Sequence, residues 1–420
     1  MNRVVITGMG VISPLGLDLE ATRTALFAGA SGIRHIRQFD ARQFPVRIAG
    51  EVNDPTLPDA SAPGLPRMRV LAQRAVQSAL ADAGLPAAAW DAAAGVRPDG
   101  HPRHALAWSL GKQSLNVAQL ADAISELSHP PQIQAAGWPA EFIQEWEDRE
   151  PAAWLRELGQ ATGAAGPAYC CYTACASGND ALGIGKRLIE RGEADLVLAG
   201  AADSQVQPLS LLEYDLLDAL AQGEPEQACR PFDRWRSGFV VGEGAAVLVL
   251  ESEEHARRRG ARLRGRLTGY GSALDCYGLT KCHPEGRGAA QAIEAALADA
   301  GRSPEEIGYI NAHGTGTVLN DRAESAAIHR VWGARATRIP VSSTKAMTGH
   351  LIAAASAVEA VLTLLALQDK VLPPTLNYSV PDPECELAIV RAVQPLEFHI
   401  AMSNGFGFGG QNSALILEAA

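Results

Sequence analysis

The feature that most constrains this chain is its repetition of itself. The hexamer Ala-Leu-Ala-Asp-Ala-Gly occurs at 79–84 and 296–301, ending the helical patterns AQRAVQSALADAG and AAQAIEAALADAG. Two further echoes flank it in the same order: ITGMG at 6–10 with LTGYG at 267–271, and AVLVLE at 246–251 with ALILE at 414–418. Three echoes in register point to a duplicated α/β unit, with halves at 1–251 and 252–420. The offsets of 261, 217 and 167 residues are unequal, so the first half carries extra sequence between its echoes. Most of it is expected in a divergent insertion at about 96–160, which holds Trp108, Trp138, Trp146 and Trp154 and the turn-prone run PDGHPRH.

Strand patterns at RVVITGMGV, DLVLAGAAD, AAVLVLES, IGYINAH, IPVSSTK and SALILEA alternate with helical ones such as GNDALGIGKRLIERG. Apolar runs of that length between helices are the pattern of strands buried on both faces of a layered α/β core. Gly8-Met9-Gly10 superficially matches a dinucleotide-binding turn. The third glycine and a ribose-binding acid are missing, so it reads as a tight strand-to-loop turn, and a nicotinamide oxidoreductase is set aside. The apolar stretch Leu351–Leu367 carries Glu359 at its middle and falls short of the ~20 residues a membrane span needs. It reads as a buried helix, and no membrane insertion is expected. A composition of 47% hydrophobic and 20% charged residues is that of a globular protein. The net charge of −11 argues against nucleic-acid binding. Seven cysteines without paired spacing, and no signal peptide, fit a cytoplasmic setting.

The chemistry-bearing residues come in three groups. AYCCYTACASGNDALGIGKRLIERG places Cys175 at a turn of small residues just before a helix, a nucleophile-elbow arrangement. A helix N-terminus there is expected to favour thiolate and lower the thiol pKa. INAHGTGT sets His313 at a strand exit, and VSSTKAMTGHLIAAAS sets Lys345 and His350 before the apolar helix. The tail SNGFGFGGQNSALILE adds Phe406, Phe408 and four glycines, read as a loop able to bring backbone N–H groups near a ligand.

In that order, TACASG, NAHGTGT, NDRAES, STKAMTGH and GFGFGG resemble the β-ketoacyl-[acyl-carrier-protein] synthase family of condensing enzymes, in its 3-oxoacyl-ACP synthase II branch. The resemblance covers nearly the whole chain apart from about 96–160. It implies a thiolase-like α/β fold, a duplicated unit in a five-layered α/β/α/β/α core. It implies decarboxylative Claisen condensation in fatty-acid or polyketide-like biosynthesis, with Cys175 as acyl-carrying nucleophile and His313 and His350 stabilising an enolate. It further implies an oxyanion hole from the N–H groups of Cys175 and Phe408, with Phe406 and Phe408 at a gate. Lys345 and Glu324 would form a supporting ion pair, and Thr315 and Thr317 would bind the pantetheine arm. No metal and no cofactor are implied, since substrates arrive on the phosphopantetheine of an acyl carrier protein. The implied assembly is a homodimer, or a heterodimer with a related subunit.

Some positions depart from the family pattern. Val318 stands where Pro is usual, Gln411 where Thr is usual, and Asp218 where a basic residue often meets the carrier protein. Carrier proteins are acidic, so a chain of this charge needs a local basic patch. Arg67 and Arg69 match the family's docking region. The run RRRGARLRGR, Arg257–Arg266, reads instead as a solvated helix face. Specialised biosynthetic-cluster ketosynthases share all these residues. A non-elongating chain-length-factor-like partner would generally lack the nucleophile, and a carrier-independent thiolase would carry a second Cys in its tail.

Overall fold

The computed structural model describes residues 2–58, 67–85, 103–111 and 150–420. The first half supplies strands β1 (Val4–Ile12), β2 (His104–Leu110), β3 (Ala168–Cys170), β4 (Leu196–Ser204) and β5 (Glu243–Ser252). The second supplies β6 (Gly265–Leu274), β7 (Tyr309–Asn311), β8 (Pro340–Ser342), β9 (Ile400–Phe406) and β10 (Gln411–Glu418). Their spatial orders are β3-β2-β4-β5-β1 and β8-β7-β9-β10-β6, the same permutation twice. The strand senses repeat as well: β2 runs parallel to β3 and β4, while β4–β5 and β5–β1 are antiparallel. β7 runs parallel to β8 and β9, while β9–β10 and β10–β6 are antiparallel. Val5–Arg266 and Ile6–Gly265 join the two sheets edge to edge.

Helices α1 (Arg67–Asp82), α2 (Ser177–Glu190), α3 (Arg287–Ala300), α4 (Val318–Trp332) and α5 (Ala355–Asp369) complete the layers. Alternation along the strands decides which layer each covers. In β5, Ala246, Leu248 and Leu250 point into a central core with α2 and α5, while Ala245, Val247 and Val249 point outward under α1. In β10, Leu415 and Leu417 enter the same central core, and Ala414 and Ile416 pack under α3 and α4. The result is the thiolase-like sequence α, β, α, β, α.

The repeated glycines have a packing cause. A Cβ on Gly10 would stand 2.0 Å from Ala75 O of α1, and one on Gly271 would stand 2.2 Å from Ala292 O of α3. Gly8 meets Ala79 O and Gly269 meets Ala296 O in the same way, each at 2.3 Å. In each half, helix backbone therefore lies directly on strand backbone. Gly8 and Gly10 lie within β1, so they serve helix packing and form no strand-to-loop turn.

Two elements depart from the sequence reading. His104–Leu110, inside the expected insertion, is the interior strand β2, with the Trp108 ring tilted against Trp154 at 5.6 Å between centroids in the first outer core. Trp138, Trp146 and residues 112–149 of that segment lie outside the described residues. The glycine-rich tail is also less of a loop than expected, because Ile400–Phe406 pairs through seven residues with β10. As expected, the apolar stretch is helical. Ile352–Asp369 is long and apolar enough to cross a membrane, and the protein buries most of it between the two sheets.

Candidate active site

Cys175 sits in a short 3₁₀ turn, Ala174–Ala176, that runs directly into α2. Ala174 adopts the left-handed conformation, φ +49°, which a side chain disfavours and a surrounding structure must enforce. Ser177 clamps it: its Oγ donates to Ala174 O at 2.6 Å and accepts from Thr173 N at 2.8 Å. The glycine tail closes over the turn, since a Cβ on Gly407 would meet Thr173 O at 2.8 Å and Cys175 N at 3.2 Å. The Phe408 backbone N–H lies near enough to the Cys175 sulfur to favour its thiolate form.

His350 Nε2 lies 3.1 Å from Cys175 Sγ. The Ile352 N–H donates to His350 Nδ1 at 3.3 Å, so the ring proton resides on Nε2. His350 thus presents a hydrogen-bond donor to the sulfur. The His313 ring stacks edge-on to His350, centroids 5.3 Å apart, and lies 5.7 Å from Phe406. Burial first, and the nearby Lys345 charge second, hold both imidazoles well below the usual histidine range. They are neutral donors at physiological pH. One donor atom from each of Cys175, His313 and His350 lies within 4.8 Å of the others, a set a thiophilic cation could also occupy by consuming the nucleophile.

Lys345 and Glu324 do not pair with each other. Lys345 Nζ donates to Glu359 Oε1 at 2.5 Å, with both side chains buried. Glu324 spends its oxygens on the His313 turn, accepting from His313 N at 2.8 Å, Gly314 N at 2.7 Å and Asn404 Nδ2 at 3.1 Å. Such N–H donors satisfy a buried carboxylate without a cation. Burial lifts Glu324 to about 6 and Glu359 to about 7, against those hydrogen bonds and Lys345 respectively.

The expectation of a lowered thiol pKa fails for the same reason. Burial pushes Cys175 up to about 12, with Lys345 and the Phe408 N–H pulling against it. Asp203, unnoticed in the sequence, adds a buried carboxylate nearby that also disfavours thiolate. It accepts from Ala353 N at 2.9 Å and so pins the turn that carries Ile352. Ile352 itself is left-handed at φ +46°, a rare state for a β-branched residue. The only sequence signal for Asp203 was an acid ending an apolar strand.

Cys175, His313, His350 and Phe406 line a cavity of about 550 Å³, whose walls also include Thr315 and Thr317. The two threonine hydroxyls are 2.9 Å apart, and Thr315 Oγ1 accepts from Thr317 N at 3.3 Å, so turn chemistry and cavity lining coexist. Phe408 is exposed at the cavity wall; Asn412, rather than Gln411, faces it.

Arg67 and Arg69 are not a docking patch, because both are buried. Arg67 forks onto Glu243 at 2.7 and 2.8 Å and donates to Val52 O at 2.9 Å. Arg69 pairs with Glu157 and lies 5.8 Å over the Trp154 ring. Arg67 holds α1 to β5, and Arg69 holds it to the helix Pro151–Thr162 that carries Glu157 and Trp154. Arg67→Ala would strand Glu243 as an unpaired buried charge, and is expected to lower the unfolding free energy by about 3–5 kcal/mol in urea titration. A loss below ~1 kcal/mol would mean that the pair is exposed in solution. The run Arg257–Arg266 is largely paired, Arg257, Arg258, Arg259 and Arg266 with Glu253, Glu254, Glu251 and Glu253, and Arg264 with Asp82.

Comparison with known proteins agrees with this geometry. Residues 1–256 match the family described as beta-ketoacyl synthase, N-terminal domain, and 264–379 its C-terminal domain. The chain is 37% identical over 424 residues to 3-oxoacyl-[acyl-carrier-protein] synthase 2 of Coxiella burnetii, covering 99% of this chain and 98% of the relative. It is 39% identical over 423 residues to the tetracenomycin polyketide synthase ketoacyl synthase alpha subunit of Streptomyces glaucescens, covering 99% and 97%. A solved ketosynthase, in a complex described as a type II polyketide synthase acyl-carrier protein with its ketosynthase, superposes with a TM-score of 0.85 at 31% identity, covering 100% and 99%. A buried cysteine and two neutral histidines, brought together by a duplicated fold, are thus the centre of a chain that belongs to the β-ketoacyl synthase family of acyltransferase-class condensing enzymes.

Proposed function

We propose that this chain lengthens an acyl group by two carbons, condensing it with malonyl delivered on an acyl carrier protein. The observation that carries this reading is the contact between Cys175 Sγ and His350 Nε2 beside His313, at the wall of an apolar cavity. In the first half-reaction Cys175 displaces the carrier thiol from an acyl thioester, and the cysteine proton leaves with that thiol. In the second, malonyl loses CO₂, and the enolate oxygen accepts hydrogen bonds from His313 and His350. The enolate carbon attacks the Cys175 thioester, the N–H groups of Cys175 and Phe408 hold the oxyanion, and the expelled thiolate takes up a proton.

The remaining residues support that sequence of events. The Lys345–Glu359 pair sets the potential that keeps both imidazoles neutral, and Glu324 fixes the His313 turn. Thr315 and Thr317 offer hydroxyls to the amides of the pantetheine arm. Phe406 and Phe408 frame an entrance that the flanking glycines let move. The reaction needs no bound cofactor or metal. A buried apolar helix and unpaired cysteines support a soluble cytoplasmic enzyme.

The exposed strand β3, which among the described residues pairs only with β2, is the surface we assign to dimer formation. A homodimer is the first reading. Pairing with a non-elongating related subunit is the second, favoured by likeness to a protein named as an alpha subunit. Intact-mass analysis after incubation with acyl-carrier protein tests the function. The expected result is one acyl adduct, mapped to Cys175. Absence of both the adduct and malonyl decarboxylation would make this chain the silent partner of another synthase.

A further inference from the structure

Among the described residues the cavity has a single Lys or Arg in its lining, Lys281. It stands on the segment between β6 and α3 and is exposed, whereas the cysteine and histidines that would do the chemistry are buried. Lys186, Lys345 and Lys370 each meet a carboxylate, at 2.7, 2.5 and 3.1 Å. Lys281 meets none among the described residues, and its side chain is solvent-exposed.

Its backbone, by contrast, is well held. Leu279 O accepts from Gly409 N at 2.6 Å, and Gly410 O accepts from Asp275 N at 2.7 Å, tying the segment to the glycine tail. His283 N donates to Asp275 Oδ2 at 2.7 Å, and the Cys282 thiol reaches Leu319 O at 3.4 Å. A free ammonium on an anchored loop is a preset positive charge at a cavity whose lining also holds one carboxylate, Glu213. Thr280 and Asn320, also in the lining, add a hydroxyl and an amide.

Resting on the condensation reading above, we infer that Lys281, with Thr280 and Asn320, anchors the phosphodiester of the phosphopantetheine arm at the cavity mouth. The arm is neutral along its amides and carries its one negative charge at the phosphodiester. With its thioester at Cys175 and its amides near Thr315 and Thr317, that charge lies toward the solvent end of the cavity. Lysine binds phosphate as a point charge on a flexible stem, which tolerates the motion of an arm that must enter and leave. With Arg67 and Arg69 buried and a net charge of −11, this local cation is what offsets the repulsion of an anionic substrate.

The test compares three malonyl thioesters: of N-acetylcysteamine, which lacks phosphate, of free phosphopantetheine, and of holo carrier protein. Lys281→Ala should raise KM for both phosphate-bearing substrates about tenfold relative to the phosphate-free one, with kcat little changed. Lys281→Arg should recover most of that loss, and Lys281→Glu should deepen it. A KM rise with carrier protein alone would overturn the proposal by making Lys281 a contact for the carrier surface. An equal rise for all three, or none, would also overturn it. If the unmodified protein turns over no thioester at all, the condensation reading fails instead. Should that happen, equilibrium binding of phosphopantetheine against pantetheine to both proteins still decides the anchor.

Discussion

Cys175→Ala is expected to reduce condensation by at least about 10⁴-fold, the scale on which removal of a covalent nucleophile acts. Malonyl decarboxylation should persist, because the variant leaves His313, His350, Lys345 and Glu359 in place. Carbon dioxide release and product formation, measured on the same sample, separate the two. Parallel loss of both would show that the sulfur is needed to hold malonyl, which the roles assigned here deny. The resting protein carries a second mark of this site. With the thiol lifted to about 12 by burial, only a small fraction is thiolate at neutral pH. Alkylation of Cys175 should therefore rise about tenfold per pH unit between pH 7 and 9, without levelling off. A plateau below pH 8 would mean that the donors from Phe408 and His350, with the start of α2, outweigh burial. Activation then belongs to the empty enzyme, where the present geometry assigns it to the substrate complex.

Much of this architecture was legible because duplication leaves marks that packing cannot erase. Gly8, Gly10, Gly269 and Gly271 recur because helix backbone lies against each strand, and the ALADAG helices recur because they are what lies there. The strand permutation follows from the same duplication and needs no separate signal. Motif positions were equally readable, since Cys175, His313 and His350 each sit in short local segments with their own turn chemistry. What sequence could not supply was pairing across distance. Glu324 was assigned to Lys345 from the resemblance, yet Glu359 was visible as a lone carboxylate in an apolar helix. A buried carboxylate of that kind needs either N–H donors or a cation, and here Lys345 is the cation that reaches it. Arg67 misled for the mirror reason: an arginine beside a helix start reads as surface until its partner, Glu243 on β5, is known. Strand β2 was hidden because tryptophan-rich sequence around it masked a short apolar run.

The second large effect is expected at the imidazoles. His313→Ala and His350→Ala should each slow malonyl decarboxylation by about 10²–10³-fold, the range for removing one donor to a developing oxyanion. Acyl loading of Cys175 should fall much less, because that step develops charge on a different oxygen, facing the N–H groups of Cys175 and Phe408. The tautomer sharpens the expectation for His350. The Ile352 N–H occupies Nδ1, so Nε2 works as a donor and not as a base. His350→Gln, which keeps an N–H at similar reach, should therefore retain more decarboxylation than His350→Ala. The pH dependence has a definite sign. Burial and Lys345 hold both rings well below 6.5, so the neutral, active form is already complete at pH 6. Glu359, lifted to about 7, takes up a proton inside this range, but losing its negative charge only disfavours imidazolium further. Decarboxylation should therefore be flat from pH 6 to 8 and fall only in more acid solution, as the rings become protonated. An inflection near 6.5 would place a charging histidine in the mechanism and replace hydrogen-bond stabilisation with proton transfer. Lys345→Ala should shift the acid limb upward, since removing the cation eases protonation of both rings, whereas a purely structural lysine would lower the rate without moving the limb.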